Sequence, residues 1–385
     1  MQPATAMGAR VRRPGGRLWP DACQELLLRA GLATGPSAIE AWNRLGPELD
    51  LDTLDRGSAR LLPLVWRNLD RHDVCAPVMA GLKQRYEHAR ALNEAVHEHL
   101  GVCLRTFRNA RIPAIVLKGA ALIQSAYGDI ALRPMSDIDV LVPLDHVAAA
   151  DQVLRDVGWR PVMPVTPTMI ELTHSAPYDH AQRSSVDLHW HVFEECCCPG
   201  DDAELWAAAE PVTLAGVSTQ VLTPTDQLLQ ACVHGEKWVK VPGLRWIADA
   251  VLLIRAGHID WSRLVQQATK RRFVLRMRAQ LEYLQSAFEA PIPPEAFAML
   301  AAAPISRLER FEHRWGVRDR RRPWILVYWC NHLRSSPRSL PAAALTFPRY
   351  LQAVWRLDSP AQLPTAAAAR LRRHLSTRPV GADRP

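Results

Sequence analysis

The chain has 385 residues, of which 48% are hydrophobic and 22% charged, and its formal net charge is +8. This composition is typical of globular proteins that bury a sizeable core, which excludes a disordered or fibrous chain. No apolar run is long enough to cross a bilayer. At this length, two or three packed units are expected.

Eight cysteines are scattered along the chain without a CxxC pair or a zinc-like Cys/His spacing. Three of them are consecutive, Cys196-Cys197-Cys198, and adjacent residues cannot wrap around one tetrahedral ion, so a loop without metal is favoured. Unspaced thiols fit a reducing compartment, and no apolar segment follows the N-terminal arginines as in a secretory signal. We therefore predict a cytoplasmic location and no membrane span.

The excess positive charge comes mainly from arginine and is concentrated late in the chain. Arginine clusters attract nucleic acid or an anionic membrane surface, but no base-stacking motif or repeat accompanies these, so a solvated surface is favoured. The arginines concerned are Arg318, Arg320, Arg321, Arg322, Arg370, Arg372 and Arg373.

The hydrophobic pattern predicts helices toward both ends of the chain and alternating elements in the middle. Residues 1–18, rich in Gly, Pro and Arg, are predicted to be a disordered arm, and residues 19–110 a helical region with its clearest apolar stripe between Leu82 and Phe107. Residues 111–221 alternate between strands and helices. Residues 222–357 return to helices, and residues 358–385 are predicted to be a flexible basic tail.

The middle region indicates an α/β core of roughly 80–90 residues. Residues 159–184, which contain several prolines, give no clear pattern. Strands are predicted at 112–117, 137–142 and 185–192, helices at 118–127 and 144–157, and a hairpin at 211–222. The helices after the hairpin are predicted at 225–237, 244–256, 261–270 and 275–290, with Thr225 and Asp260 as N-caps of the first and third.

The strongest chemical signal is the run Ser136-Asp137-Ile138-Asp139-Val140. Side chains two apart on a strand share a face, so Asp137 and Asp139 point the same way while the apolar residues face the packed side. Two carboxylates at the start of a buried strand repel each other, and divalent cations between them remove that repulsion. The pattern therefore predicts a metal site.

A second strand, Val186-Asp187-Leu188-His189-Trp190, places Asp187 and His189 on one face. If this strand is a neighbour of the first, Asp187 completes a cluster of three carboxylates. Such a cluster has the geometry of a two-metal phosphoryl-transfer site, in which one ion activates the attacking hydroxyl and the other holds the triphosphate and the leaving pyrophosphate.

A third element lies upstream, where Lys118-Gly119-Ala120 joins a strand to a helix. Gly119 would let the backbone approach a phosphate at the helix N-terminus, and Lys118 and Arg133 would add positive charge there. Each of the three elements is common alone. Their order, spacing and shared strand context together point to one site.

Together these residues resemble a family of uncharacterised bacterial nucleotidyltransferases within the DNA polymerase β-like superfamily. The resemblance implies an α+β fold, with a small mixed-sheet nucleotidyltransferase core flanked by N-terminal and C-terminal helical regions. It extends from about Leu61 to about Ala290 and rests on Leu117-Lys118-Gly119, 133–142, 186–190, 222–226, His234 and 244–249.

The resemblance also implies roles for the three carboxylates. Asp137 and Asp139 would bind two Mg²⁺ ions, or Mn²⁺ in their place, and Asp187 would bind the catalytic ion and assist deprotonation of the nucleophile. A nucleoside triphosphate (NTP) would be the substrate.

The nucleotide-binding candidates are Lys118, Gly119, Arg133 and Ser136, with Gly119 against the phosphates. One departure concerns this loop. The wider superfamily usually has Gly-Ser, whereas Ala120 follows Gly119 here and offers no hydroxyl to a phosphate. Lys118 or Ser136 would have to compensate.

Four further residues are open to two interpretations. His189 either touches a substrate hydroxyl or phosphate, or is a hydrogen-bonded spacer, whereas a structural role is favoured for His191 on the same face. His234 and Asp249, on predicted C-terminal helices, either cap the site or form a polar contact between helices.

The leading prediction is an enzyme that transfers a nucleoside monophosphate from an NTP to an acceptor hydroxyl or phosphate. Because members of the resembling family often accompany clusters that make modified peptides or surface polysaccharides, a small molecule or a peptide is the expected acceptor. The net charge of +8 favours, more weakly, a toxin-like transferase acting on the end of a transfer RNA. The third alternative is a catalytically inactive nucleotide-binding regulator, against which the three carboxylates argue.

Overall fold

The computed structural model describes residues 19–46, 49–235, 243–318, 324–335, 340–355 and 357–376. Several sequence predictions lie outside the described residues: the disordered arm at 1–18, the arginines at 320–322, the end of the tail at 377–385, and the side chains of Arg318 and Arg373. Among the helices that are described, none combines the length and the apolar character that a membrane crossing requires.

The N-terminal region is helical, as predicted. Its longest helix buries one apolar stripe from Leu82 to Phe107, because those residues recur at helical spacing. The first helix is capped by Asp21, whose side chain accepts a hydrogen bond from the Gln24 N–H at 2.9 Å. The five helices are α1 (Ala22–Leu32), α2 (Pro36–Leu45), α3 (Arg56–Ala59), α4 (Leu62–Asp70) and α5 (Met79–Asn109).

The middle region contains a seven-stranded sheet and four helices among the described residues. In chain order these are β1 (Ile115–Val116), α6 (Lys118–Leu122), β2 (Asp137–Leu141), α7 (Val147–Asp156), β3 (Arg160–Pro161), α8 (Pro167–Leu172), β4 (Ser175–Asp179), β5 (Ser185–His189), α9 (Ala203–Ala208), β6 (Glu210–Leu214) and β7 (Val217–Val221). A π-helical segment, Ile123–Tyr127, continues α6.

The strand order is β3-β4-β5-β2-β1-β7-β6. Strand β2 is parallel to β5, and β1 is parallel to β7, whereas the other neighbours are antiparallel. The sheet is therefore mixed, and the predicted α+β class is confirmed.

The C-terminal region is helical throughout its described length. Its helices are α10 (Pro224–Gly235), α11 (Arg245–Ala256), α12 (Trp261–Lys270), α13 (Val274–Phe288), α14 (Pro294–Ala302), α15 (Arg307–Arg318), α16 (Trp324–Ser335), α17 (Leu340–Val354) and α18 (Leu363–Ser376). Helix α18 lies where the sequence predicted a flexible tail, because the alanine run at 366–369 has a high helix propensity.

One of the two predicted helix caps is wrong. Asp260 caps α12 as expected, accepting from the Arg263 N–H at 2.9 Å. Helix α10, however, begins at Pro224, so the hydroxyl of Thr223 accepts from the Asp226 N–H at 3.2 Å. The hydroxyl of Thr225 instead accepts from the backbone of Asp260 at 2.9 Å.

Residues 159–184, which gave no clear pattern, supply β3, α8 and β4 at one edge of the sheet. Their prolines hid the strands, because Pro161 and Pro177 cannot donate to a sheet ladder. Pro177 still accepts through its carbonyl, from the Val162 N–H at 2.9 Å.

Two apolar clusters cover the two faces of the sheet. Ile115 and Leu141, paired across β1 and β2, belong to a cluster that contains helices from both ends of the chain. Val116 and Val140, the adjacent pair, belong to a second cluster with α5 and α7. Since residues two apart share a face, Asp139 lies on the side of Leu141, which the two terminal helical regions cover together.

Candidate active site

The two acidic strands are neighbours in the sheet. Strand β2 pairs in parallel with β5, and the register places Asp139 directly beside Asp187. On β5, His189 lies two residues beyond Asp187 and therefore on the same face. The alternation in each strand and the pairing between them bring these three side chains together.

His189 lies between the two carboxylates. Its Nε2 is 3.1 Å from Oδ1 of Asp139 and 3.0 Å from Oδ2 of Asp187. One possible ligand atom from each of the three residues falls within a group 4.8 Å across. Asp139 and His189 are buried, with 7% and 1% of their surface exposed, whereas the Asp187 side chain is 25% exposed.

Lys118 adds a positive charge to this cluster. Its Nζ donates to Oδ1 of Asp139 at 2.5 Å and lies 3.5 Å from Nε2 of His189. The residue is separated from β1 only by Leu117 and adopts a φ of +47°, a left-handed conformation that is strained for a lysine. The structure thus holds the ammonium group over the β2 carboxylate by a backbone turn that most residues avoid.

The cationic groups keep both carboxyls ionised. Burial raises the pKa of Asp139, but the charge of Lys118 and the hydrogen bond from His189 outweigh burial and hold it below its ordinary value. Burial likewise raises the pKa of Asp187, and the charge of His189 more than reverses this. The pKa of His189 is in turn raised, because the charge of Asp187 overcomes its burial.

Asp137 stands apart from the compact group. It lies at the exposed start of β2, and its Oδ1 accepts a hydrogen bond from the Ser136 hydroxyl at 3.2 Å. The hydroxyl of Ser136 also accepts from Nη2 of Arg60 at 3.4 Å. The structure therefore brings together Asp139, Asp187 and His189, with Asp137 two residues away on the same strand face.

Arg133 is engaged by a residue from the C-terminal helices. Its Nε and Nη2 donate to the two oxygens of Asp249 at 2.8 and 3.0 Å, and Tyr127 donates to the same carboxylate at 2.6 Å. Both members of the ion pair are buried. Asp249 thus forms a polar contact between α11 and the sheet region, and the nucleotide-binding role of Arg133 stays a prediction.

Gly119 is buried against Met135. A Cβ at this position would lie 2.6 Å from Sδ and 3.0 Å from Cγ of Met135, and the first of these distances is shorter than real Cβ contacts. The close packing of the two residues therefore explains why glycine occupies this position. Its contact with nucleotide phosphates stays a prediction.

Gly119→Ala is expected to lower the free energy of unfolding by about 1–2 kcal/mol, because the new methyl group overpacks the site. Urea unfolding measures this change. In a double-mutant cycle with Met135→Ala, the two changes should together destabilise less than the sum of the single changes, since the shorter side chain removes the clash. Strictly additive effects would show that Met135 is not the cause.

The two other candidate histidines lie outside the compact group. His191 is buried, and its Nδ1 is 3.0 Å from Oδ2 of Asp202, which agrees with the structural role favoured from sequence. His234 is exposed near the end of α10, and its accessory role stays a prediction.

The cysteine triplet forms a loop with protonated thiols. Burial raises the pKa of Cys196 to about 12 and that of Cys197 well above its ordinary value. None of the eight cysteines forms a disulfide bond. The group suited to a metal among the described residues contains no cysteine.

Two arginines that border the site were given no role from sequence, although Arg245 lies in the 244–249 run on which the family resemblance rests. Arg60 reaches Ser136, and Nη1 of Arg245 donates to the Pro134 carbonyl at 2.8 Å. Each lies in a helical region remote in sequence from β2, and the chain has 47 lysines and arginines. Their charge alone therefore gave no reason to place them at the site.

The compact group is chemically suited to a divalent cation. Ionised carboxylate oxygens are the ligands that hard cations such as Mg²⁺ prefer, and an imidazole nitrogen accommodates Mn²⁺ as well. Lys118 and His189 now supply the positive charge that the carboxylates need. A cation bound to Asp139 and Asp187 would supply the same charge.

Three solved structures have partial similarity to this chain. Lincosamide antibiotic adenylyltransferase LnuA with lincomycin is 16% identical, over 40% of this chain and 93% of its own, with a TM-score of 0.29. An antigenic nucleotidyltransferase-like protein from Paracoccidioides brasiliensis is 15% identical, over 53% and 96%, with a TM-score of 0.35. The antibiotic-resistance factor ANT(2'')-Ia is 13% identical, over 50% and 95%, with a TM-score of 0.31.

No curated protein matches the chain. A family described as uncharacterised nucleotidyltransferase matches residues 57–289, which is more than half of the sequence. This range contains β1, β2 and β5 with Asp137, Asp139 and Asp187. The chain therefore belongs to this family and is a nucleotidyltransferase enzyme.

Proposed function

We propose that this nucleotidyltransferase requires Mg²⁺, held by Asp139 and Asp187 with Asp137 as the third carboxylate. It transfers a nucleoside monophosphate from an NTP to a hydroxyl or phosphate of a small molecule or peptide. The observation that carries the proposal is the register of β2 and β5, which sets Asp139 beside Asp187. Two ionised carboxylates at that spacing form a ready site for a hard cation.

When bound, Mg²⁺ would lower the pKa of the acceptor hydroxyl and neutralise charge on the transferring phosphoryl group. Asp187 is the more exposed of the two central carboxylates, so it is the one that an incoming acceptor reaches. In this proposal, Asp187 accepts the proton that the acceptor hydroxyl loses. The acceptor oxygen then bonds to the α-phosphorus as the bond to pyrophosphate breaks.

Lys118 and His189 have supporting roles in this proposal. Lys118 borders the carboxylates. In this proposal it binds a phosphate oxygen of the nucleotide and so replaces the loop hydroxyl that Ala120 lacks. His189 is a positioning residue, because it contacts both carboxylates and is itself fully surrounded by protein.

The acceptor class rests on the family resemblance and is tested directly. The protein is incubated with Mg²⁺, each labelled NTP in turn, and a cell extract separated into small-molecule, peptide and RNA fractions. Mass analysis then identifies what gains a nucleotide. Label in the first two fractions supports the proposal, label on RNA ends favours the transfer RNA alternative, and no turnover of any NTP contradicts an active transferase.

Metal binding has its own expected result. Mg²⁺ with a non-hydrolysable NTP analogue should raise the melting temperature of the wild type by about 2 °C or more, because ligands that bind only the folded state stabilise it. Asp139→Asn should remove the Mg²⁺-dependent part of this increase. An equal increase in both proteins would place the cation elsewhere.

A further inference from the structure

Arginines from both terminal helical regions converge on the segment that leads into β2. Arg60 follows α3 and reaches the hydroxyl of Ser136 at 3.4 Å. Arg245 is the first residue of α11 and donates to the carbonyl of Pro134 at 2.8 Å. Arg133 begins the same segment. The guanidinium groups therefore gather beside the start of the strand that carries Asp137.

The positive charge of this cluster is not matched by nearby carboxylates. Asp249 pairs with Arg133 through both oxygens. Within the described residues, neither Arg60 nor Arg245 forms an ion pair with a carboxylate, although Asp137 attracts Arg60 and Asp249 attracts Arg245 from a distance. The cluster thus has more positive than negative charge.

Burial and the charges of neighbouring arginines both lower the pKa values of Arg60 and Arg245. Burial, followed by the charges of Arg133 and Arg60, lowers the pKa of Arg245 to about 10. Burial and the charge of Arg56 lower the pKa of Arg60. Like charges held together and partly removed from water are unfavourable unless an anion joins them.

We propose that Arg60 and Arg245 bind the β- and γ-phosphates of the nucleotide, and afterwards the pyrophosphate product. This assignment rests on the proposed function. Planar guanidinium groups bind phosphate oxygens in pairs, and a polyphosphate supplies enough negative charge for several of them. The positive end of α11 adds to the attraction.

The location agrees with this ligand. Arg60 contacts Ser136, whose hydroxyl donates to Asp137, so a phosphate held here lies next to the carboxylate strand. Because Arg60 comes from the N-terminal helices and Arg245 from the C-terminal ones, the triphosphate would contact both regions. Their shared core keeps the two arginines in position.

The experiment measures binding of inorganic tripolyphosphate, with Mg²⁺, by calorimetry. The wild type should bind it, and Arg60→Gln and Arg245→Gln should each weaken binding by about 10-fold, since each removes a charge-assisted contact. Arg105→Gln, at an exposed arginine on α5, is the matched control and should bind as the wild type does. Melting temperatures establish that the variants fold, and Arg60→Lys should retain part of the affinity.

The same variants separate this inference from the proposed function. With any NTP that is turned over, both Gln variants should raise KM more than they lower kcat. If the wild type transfers nucleotide while the variants keep wild-type tripolyphosphate affinity and KM, the phosphate assignment is overturned and the proposed function stands. If the wild type transfers no nucleotide but binds tripolyphosphate, and the Gln variants lose that binding, the phosphate site is supported and the proposed function is contradicted. A wild type that does not bind tripolyphosphate overturns the phosphate site.

Discussion

Asp139→Asn is expected to reduce nucleotide transfer by about 10³-fold or more, since metal coordination supplies several kcal/mol of transition-state stabilisation and each ~1.4 kcal/mol is a factor of ten. Asp139 is the carboxylate that Lys118 and His189 both contact, and it is buried, so no other side chain can take its place. Asp187→Asn should cause a loss of similar size. Pyrophosphate release under saturating NTP and Mg²⁺ measures the rate.

The matched control is Asp145→Asn, an exposed aspartate that follows β2 and contacts only its neighbour His146 among the described residues. It should leave the rate unchanged. Asp137→Asn is informative as well, because a loss as large as that of Asp139→Asn would place Asp137 among the ligands despite its position outside the compact group. If Asp139→Asn retains more than a tenth of the wild-type rate, the metal assignment fails.

The ion pair between Arg133 and Asp249 gives the second large effect. Asp249→Asn should lower the free energy of unfolding by about 3 kcal/mol or more, because it leaves the Arg133 guanidinium buried without a counter-charge. The loss is increased by the nearby charge of Arg245, which Asp249 also offsets. Urea unfolding followed by circular dichroism measures the change.

Two companion variants make this result specific. Glu87→Gln removes a pair with Lys83 in which both side chains are more than half exposed, and no measurable change is expected. Arg133→Met with Asp249→Leu should recover most of the loss, since apolar residues of similar size replace a buried pair well. If the Asp249→Asn variant has the same urea midpoint of unfolding as the wild type, the ion pair does not hold α11 to the sheet region.

The ion pair between Arg133 and Asp249 also affects the proposed phosphate site. It fixes α11, whose first residue is Arg245, against the segment between Arg133 and β2. We therefore expect Asp249→Asn to weaken tripolyphosphate binding at temperatures where the variant remains folded. The effect should be smaller than that of Arg245→Gln, because Asp249 acts only through the position of α11.

The sequence alone determined what each strand presents on each face. Alternation of acids with apolar residues placed Asp137 and Asp139 on one side of β2, and the same period placed His189 with Asp187 on β5. Helix positions followed from apolar spacing in the same way, as for α5 and α11. These are local properties, fixed by backbone geometry over a few residues.

Only the tertiary structure decided which strands are neighbours and which charges meet. Three contacts join residues that are far apart in the chain. They are the pairing of β2 with β5, the hydrogen bond from Lys118 to Asp139, and the ion pair between Arg133 and Asp249. The contacts of Arg60 and Arg245 with the segment before β2 also join distant residues, and neither arginine has a charge pattern that sets it apart from surface arginines. Periodicity contains no information on such contacts, because they depend on how the whole core packs.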